Sequence, residues 1–234
     1  METEIDPTNY GPEFLTILES AAKLQAIVPD AVVVGGTAAA LYAAHRLSSD
    51  HDHVLADLRD HFEIVLDALE ADQAWATNRI IPGKVILGNL DGIEAGVRQM
   101  IRKVPLEIAL IKLPSGVPLR VPSADEILRI KAFLIVRRNQ TRDYLDVAAL
   151  ADHCGIDHAG QVLRGIDRYY SDQRGSEDGV CSQLVRQLGD PRPADFLSIS
   201  ELDKYKRLNK RWSEWGQVRE VCGSLAAEII AGRA

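Results

Sequence analysis

The most constraining feature of the sequence is a glycine turn between an apolar segment and a helix-favouring one. The apolar residues 31–34 are followed by Gly35-Gly36-Thr37 and then by residues 38–46, which have strong helical propensity. Glycine has no Cβ and lets the backbone approach another group closely, and the first N–H groups of a helix have no intrahelical partner. The order strand, glycine turn, helix is therefore suited to binding phosphate. A simple tight turn gives the same pattern.

A pair of carboxylates follows one helix later. If residues 50–56 form a strand, its two-residue period places Asp50 and Asp52 on one face and His51 and His53 on the other. Magnesium prefers oxygen ligands and is usually held by one or two carboxylates together with substrate phosphates. An acidic, solvated start of a strand would give the same sequence pattern. The position after the glycine turn favours a site for Mg²⁺ and a nucleoside triphosphate (NTP).

The chain is predicted to change character near Ser123. Before this residue, apolar periodicity predicts helices over 12–28, 37–46 and 58–72 and strands over 31–34, 50–56, 75–80, 84–90, 92–101 and 105–113. Leu90-Asp91-Gly92 is the strongest hairpin turn. The proline-rich residues 114–126 are predicted to be a connector, and helices dominate beyond them. We therefore expect an α/β core over residues 1–122, with a mixed sheet flanked by helices, and a helical region over 123–234.

Composition limits the classes of function. The chain has 234 residues, of which 46% are hydrophobic, so it has room for one domain or two small ones. Its 27 basic and 34 acidic residues give a net charge of −7, which argues against a surface that binds nucleic acid over its whole extent. The three widely spaced cysteines, the acidic N-terminal segment 1–14 and the lack of an 18-residue apolar run predict a cytoplasmic protein without membrane association.

Two segments in order resemble a known family. Residues 35–54, GGTAAALYAAHRLSSDHDHV, and residues 128–150, LRIKAFLIVRRNQTRDYLDVAAL, are similar to the AbiEii/AbiGii-type nucleotidyltransferase toxins. That family has a Gly-Gly-Ser/Thr turn, an Arg-x-Ser-x-Asp-x-Asp segment, a helix lysine and an Arg-Asp-x-x-Asp segment. The resemblance covers about residues 31–152 and implies a polymerase-β-like nucleotidyltransferase core.

The resemblance also implies roles for individual residues and partners. It assigns metal binding to Asp50 and Asp52. It assigns NTP binding to the turn residues Gly35, Gly36 and Thr37, and to Arg46 and Ser48, which match the family between the turn and the strand. Lys131, Asp143 and Asp146 would complete the catalytic site. It further implies an RNA acceptor such as tRNA, and a toxin role in a toxin–antitoxin or phage-defence pair with a cognate antitoxin protein.

Lys131 has support that is independent of the resemblance. Its helical neighbours Ile127, Leu128, Leu134 and Ile135 are all apolar. A lysine in such a stripe either extends its amine to solvent or meets an anion, because lysine is almost never buried unpaired. Phosphate or an aspartate would serve as that anion. Asp143 has an alternative role as an early-helix carboxylate that interacts favourably with the helix dipole.

The third carboxylate of such a site is open. Glu94, after the Asp-Gly turn, and Glu107 are the candidates, and the hairpin position favours Glu94 as the further metal ligand. Arg98 lies on the same predicted face as Glu94 and could meet a phosphate. Because the third carboxylate is uncertain, a degenerate, non-catalytic binding or sensor protein of the same fold is the alternative function.

Two further sequence patterns suggest other functional sites. The His51-Asp52 dyad suggests a metal phosphohydrolase with helices around the dyad, but the strand-like alternation argues against that class. His51-x-His53 could also be a metal site, but it lacks a clear third ligand.

Residues 202–215, LDKYKRLNKRWSEW, are predicted to be a helix with one basic and one aromatic face. That segment is the best candidate for contact with an RNA backbone, although a charged helix face over the core gives the same pattern.

Overall fold

The computed structural model describes residues 11–173 and 178–232. Most of the acidic N-terminal segment therefore lies outside the described residues. The chain divides into two compact units: the first comprises Met1–Leu41, Ser48–Ile101 and Pro105–Ser123, and the second comprises Tyr42–Leu47, Arg102–Val104 and Ala124–Ala234. The sequence alone did not predict that residues 42–47 and 102–104 belong with the C-terminal helices.

The first unit contains the sheet. Its elements are α1 (Pro12–Ile27), β1 (Val32–Val34), the start of α2 (Gly35–Ala43), β2 (Asp50–Leu55), α3 (Phe62–Glu70), β3 (Trp75–Ile81), β4 (Val85–Leu90), β5 (Ile93–Gln99), β6 (Ile108–Lys112) and β7 (Pro118–Pro122). Pro12 occupies the first turn of α1, where its missing N–H leaves no intrahelical bond unmade. The helices and strands predicted up to residue 112 are present, with boundaries shifted by a few residues.

Five strands form a mixed sheet in the order β1-β2-β5-β4-β3. Strand β2 runs parallel to β5, and the other neighbours are antiparallel. A parallel pair needs a crossover connection, which α3 and the β3–β4 hairpin provide here. The mixed sheet flanked by helices and the helical second half confirm the predicted fold class.

One face of the sheet carries much of the core. Alternate residues of β2, β4 and β5, including Leu55, Ile86, Leu90 and Val97, are buried against apolar side chains of α1 and α3. The opposite face of β2 and β5 carries the polar residues. The two-residue period of the strands thus separates the core from the candidate site.

The hairpin turn predicted at Leu90-Asp91-Gly92 is confirmed. Leu90 pairs with Ile93, so Asp91 and Gly92 are the two turn residues. Their φ angles are +52° and +83°, as a two-residue hairpin turn with two left-handed positions requires.

The proline-rich residues before Ser123 differ from the prediction. They include strand β7, which pairs with β6 in a separate two-stranded sheet instead of serving only as a connector. Pro118 and Pro122 stand at the two ends of β7, where proline's missing N–H interrupts the ladder least.

The second unit is helical. Its helices are α4 (Ala124–Arg138), α5 (Thr141–Cys154), α6 (Ile156–Arg164), α7 (Ile166–Tyr169), α8 (Val180–Gly189) and α9 (Trp215–Ala231), with 3₁₀ segments at Phe196–Lys204 and Lys210–Ser213. Within the described ranges, no helix is both long and apolar enough to cross a membrane.

The helix predicted over residues 202–215 is wrong. The N–H of Leu47 donates to the carbonyl of Lys206, and the N–H of Asn209 donates to the carbonyl of His45. The side chain of Asn209 also accepts from the N–H of Arg211 and caps the second 3₁₀ segment. These bonds take backbone groups that a continuous α-helix would need, so the segment breaks into two short turns.

Candidate functional site

Strand β2 presents its two carboxylates on the face away from the core. Asp50 is exposed and the side chain of Asp52 is 32% exposed, whereas His51 and His53 are buried. The predicted alternation along this strand is confirmed.

Asp52 lies between two glycines. A Cβ built on Gly35 would be 3.5 Å from Oδ2 of Asp52, and one built on Gly96 would be 3.2 Å from Oδ1. Arg98 Nε donates to the same Oδ1 at 3.1 Å. Gly35 has a φ of +72°, a conformation that glycine adopts without strain. The backbone of the turn and of β5 thus closely surrounds this carboxylate.

Asp50 is fixed through the turn and through the segment before β2. The Thr37 hydroxyl donates to the carbonyl oxygen of Asp50 at 2.5 Å, and the Ser48 hydroxyl donates to Oδ1 of Asp50 at 2.8 Å. Thr37 is buried, and Gly36 beside it is the second residue of α2. These bonds fix the glycine turn against the carboxylate strand.

The sheet register places Glu94, and not Glu107, beside the carboxylate pair. Asp50 lies opposite Glu94 and Asp52 lies opposite Gly96 in the parallel β2–β5 pair. Glu107 precedes β6, which belongs to the separate two-stranded sheet. In the part of the chain that the structure describes, no three His, Cys, Asp or Glu side chains lie close enough to hold a metal by themselves.

The residues of this face fit a magnesium ion that is also bound by substrate. Two carboxylates on one exposed face, next to close-approaching glycine backbone, match the usual donor set of one or two carboxylates plus phosphate oxygens. Arg98 adds a cation at Asp52. This arrangement is suited to binding a metal–triphosphate complex.

The histidines behind the carboxylates are part of the buried face. Ser20 Oγ and His51 Nε2 are 3.0 Å apart, and the His51 and His53 rings pack edge to face. Burial lowers the pKa of His51 to about 4 and the pKa of His53 well below its ordinary value. The dyad stands in a strand and not among helices, contrary to the phosphohydrolase interpretation.

The second unit contains a buried charge cluster around Asp146. Both oxygens of this carboxylate are engaged: Lys131 Nζ lies 2.6 Å from Oδ2, and Arg46 bridges both oxygens at 2.9 and 3.2 Å. His45 Nε2 lies 2.7 Å from Oδ1. Of the two alternatives that the sequence left open for Lys131, an amine extended to solvent or an anionic partner, the structure has the second.

The protonation of this cluster follows from burial and charge. Burial alone would raise the pKa of Asp146, but Arg46, Lys131 and His45 hold it well below its ordinary value. Burial lowers the pKa of His45 despite Asp146. The cluster at neutral pH is therefore one carboxylate, two cations and a neutral imidazole, which donates from Nε2 because the carboxylate only accepts.

Two predicted site residues have other partners in the structure. Asp143, fully buried, binds the guanidinium of Arg138 through two hydrogen bonds of 2.7 Å, separately from the Lys131–Asp146 pair. Arg46 binds Asp146, and only 10% of its side chain is exposed.

Sequence reasoning missed His45 and Gly96. His45 stands next to Arg46 in the matched segment, but its partner is 101 residues away in the sequence. Gly96 had a usable signal, since a lone glycine within a strand often marks a close approach of another group.

Two solved structures resemble the whole chain. MenT4, a nucleotidyltransferase toxin from Mycobacterium tuberculosis, superposes with a TM-score of 0.54 and 17% identity over 94% of this chain and 89% of its own. A proposed nucleotidyltransferase from H. pylori gives a TM-score of 0.51 and 15% identity over 97% of this chain and 95% of its own. At this level of identity the likeness concerns the fold: the chain has a nucleotidyltransferase fold.

The curated relatives are longer proteins. Heme uptake protein MmpL11 of Mycobacterium tuberculosis is 30% identical over 238 aligned positions, which cover 92% of this chain. The chain spans about a fifth of these relatives, 22% in this case. No protein-family model matches the chain. The resemblance to the AbiEii/AbiGii-type family therefore stays a prediction.

Proposed function

We propose that this chain is a Mg²⁺-dependent nucleotidyltransferase that moves a nucleoside monophosphate from an NTP to an RNA acceptor such as tRNA. The observation that carries the proposal is the face shared by Asp50, Asp52 and Glu94 on the parallel strands β2 and β5. The nucleotidyltransferase fold agrees with it.

In the proposed reaction, an acceptor hydroxyl oxygen forms a bond to the α-phosphorus of the NTP. The bond from that phosphorus to the bridging oxygen breaks, pyrophosphate leaves, and the hydroxyl proton passes to solvent. Asp50 and Asp52 would hold Mg²⁺ together with phosphate oxygens of the NTP, with Glu94 beside them on β5, and the ion would neutralise charge at the triphosphate.

The remaining residues of the first unit would orient the substrate. Gly35 and Gly36 give the triphosphate access to the backbone N–H groups at the start of α2. Thr37 and Ser48 position Asp50 through their hydrogen bonds. Arg98, which contacts Asp52 and is about half exposed, would contact a phosphate of the bound NTP.

For the second unit we propose a positioning role. Lys131 and Asp146 fix Arg46, which precedes Ser48 by two residues and Asp50 by four in the chain. Asp143, bound to Arg138 near the start of α5, would support the same helix pair. A toxin role in the cytoplasm, opposed by a cognate antitoxin, completes the proposal, with the MenT4 fold as its support.

The proposal is tested by incubating the protein with α-³²P-labelled NTPs, Mg²⁺ and total RNA. We expect label in RNA, and a loss of at least a hundredfold with Asp52→Asn. Asp57→Asn, an equal change at an exposed residue of the same unit, is the matched control and should retain transfer. NTP binding without transfer to RNA or protein would instead support the non-catalytic alternative.

A further inference from the structure

We propose that Lys206, Arg207 and Lys210 form a binding surface for the sugar-phosphate backbone of a single-stranded RNA acceptor. Residues 204–211, here called the basic loop, carry these cations in the second unit. The inference rests on the proposed function and names the surface that would bind its acceptor.

The basic loop concentrates positive charge in an acidic protein. Its sequence KYKRLNKR has five cations and no carboxylate, whereas the whole chain has a net charge of −7. The two ends of the loop, Lys204 and Arg211, contact Glu201 and Asp152. Lys206, Arg207 and Lys210 are all exposed. Repulsion from the rest of an acidic surface would direct a polyanion to such a patch.

The basic loop is fixed to the chain segment that leads into the carboxylate strand. The two backbone bonds between the basic loop and residues 45–47 are 2.9 Å from Leu47 to Lys206 and 2.8 Å from Asn209 to His45. The same segment carries Arg46, held by Asp146. Asp50 follows Leu47 by only three residues. These bonds hold the backbone of the basic loop in one arrangement, so less backbone ordering entropy is lost when a ligand binds.

An exposed aromatic residue favours single-stranded RNA over other polyanions. Phe196 begins the 3₁₀ segment that ends at Lys204, and Phe196 is 64% exposed. Phe196 and Lys204 are the two ends of this segment. Proteins that bind single strands combine a cationic track with aromatic side chains on which bases stack. Phe196 and the basic loop would supply these two elements.

The experiment measures binding of a fluorescein-labelled 12-nucleotide single-stranded RNA by fluorescence anisotropy. Every variant is made in the Asp52→Asn protein, called the background protein, so that nucleotide transfer does not alter the RNA probe. Replacing Lys206, Arg207 and Lys210 by serine should weaken binding at least tenfold at about 0.1 M salt. If each cation contacts one phosphate, the slope of log affinity against log salt should become less negative by about 2, at about 0.7 per phosphate for a single strand.

A matched triple variant controls for net charge. Lys84, Lys112 and Arg168 are exposed cations elsewhere in the chain, and their replacement by serine changes the total charge equally. This control should keep the affinity and the salt slope. Phe196→Ser should weaken binding about fivefold and leave the salt slope unchanged, because stacking releases no counterions.

Each outcome decides one question. Equal losses in the two triple variants, or no RNA binding by the background protein, would overturn the inference. Binding that depends on the basic loop in a protein that never transfers nucleotide would uphold the inference and refute the proposed function. Nucleotide transfer to a protein acceptor that is unaffected by the triple replacement would show that the acceptor is not RNA and would overturn it as well.

Discussion

At the scale of single residues, the candidate site depends on how closely the backbone surrounds Asp52. Gly96→Ala places a methyl group 2.7 Å from Cδ2 of Leu87 and 3.2 Å from Oδ1 of Asp52. The Leu87 methyl is the end of a flexible, partly exposed side chain, so we expect a stability loss of only about 1 kcal/mol. The carboxylate has less freedom, and we expect nucleotide transfer to fall at least tenfold.

Thermal unfolding and transfer rate, measured on the same preparation, check this prediction. Gly216→Ala is the matched control, because its added Cβ meets nothing within 4 Å and its φ is not in the left-handed region. Unchanged transfer in Gly96→Ala would show that the close approach to Asp52 has no functional importance.

Asp146 tests the buried cluster of the second unit. Asp146→Asn removes the carboxylate that Lys131 and Arg46 share and leaves two cations in a buried setting. Breaking a buried ion pair from one side costs about 3–5 kcal/mol, so the free energy of unfolding should fall by this amount. Denaturant unfolding measures it.

The control is Asp190→Asn, at an exposed pair with Arg192, where no measurable change is expected. A loss in Asp146→Asn no larger than that of the control would contradict the assignment of Asp146 as the counterion of the cluster.

At the scale of elements, the β4–β5 hairpin positions Glu94 and Gly96 against β2. Gly92 has a φ of +83° and its added Cβ would meet nothing, so the cost of Gly92→Ala is conformational alone. We expect the free energy of unfolding to fall by about 1 kcal/mol, the usual penalty for a side chain in the left-handed region. Gly189→Ala, at a position with open space and no left-handed φ, should show no such loss in the same denaturant titration.

Elements with strict periodicity were predictable from the sequence, and elements set by tertiary bonds were not. Strand β2 followed from its alternation, and the β4–β5 turn followed from Asp91-Gly92. Strand β7 was missed because prolines at both of its ends resemble a connector. The segment 202–215 has helical spacing, but bonds to residues 45–47 divert its backbone.

At the scale of the whole molecule, the buried histidines predict how stability depends on pH. Burial lowers the pKa of His51 from about 6.5 to about 4, so between these values the unfolded chain binds a proton that the folded chain does not. The contribution of His51 to the free energy of unfolding should be fully present above about pH 6.5. It should fall by about 3 kcal/mol as the pH approaches 4.

Denaturant unfolding at several pH values measures this dependence. His51→Gln should make the decline between pH 6.5 and 4 shallower by the share of this residue, because the buried His45 and His53 still contribute, whereas His61→Gln, the same change at an exposed histidine, should leave it as in the unaltered protein. An unchanged decline in His51→Gln would mean that His51 does not titrate with folding.

The candidate site was predictable only where its parts are close in sequence. The two-residue strand period placed Asp50 and Asp52 on one face, and their position one helix after the Gly35-Gly36-Thr37 turn favoured a shared site. His45 and Arg46 contact Asp146 from about 100 residues away in the sequence, so these two contacts were not predictable, whereas an aspartate was one of the anions expected for Lys131. The register of the sheet was needed to decide whether Glu94 or Glu107 lies beside β2.

The most direct measurement is the binding of Mn²⁺, as a paramagnetic substitute for Mg²⁺, in the presence of an NTP. Free Mn²⁺ is followed by electron paramagnetic resonance while the protein is titrated. We expect NTP-dependent capture of Mn²⁺ by the unaltered protein and by Asp57→Asn, and loss of capture in Asp52→Asn. Equal capture by Asp52→Asn and the unaltered protein would contradict the central claim that this face holds the metal–triphosphate complex.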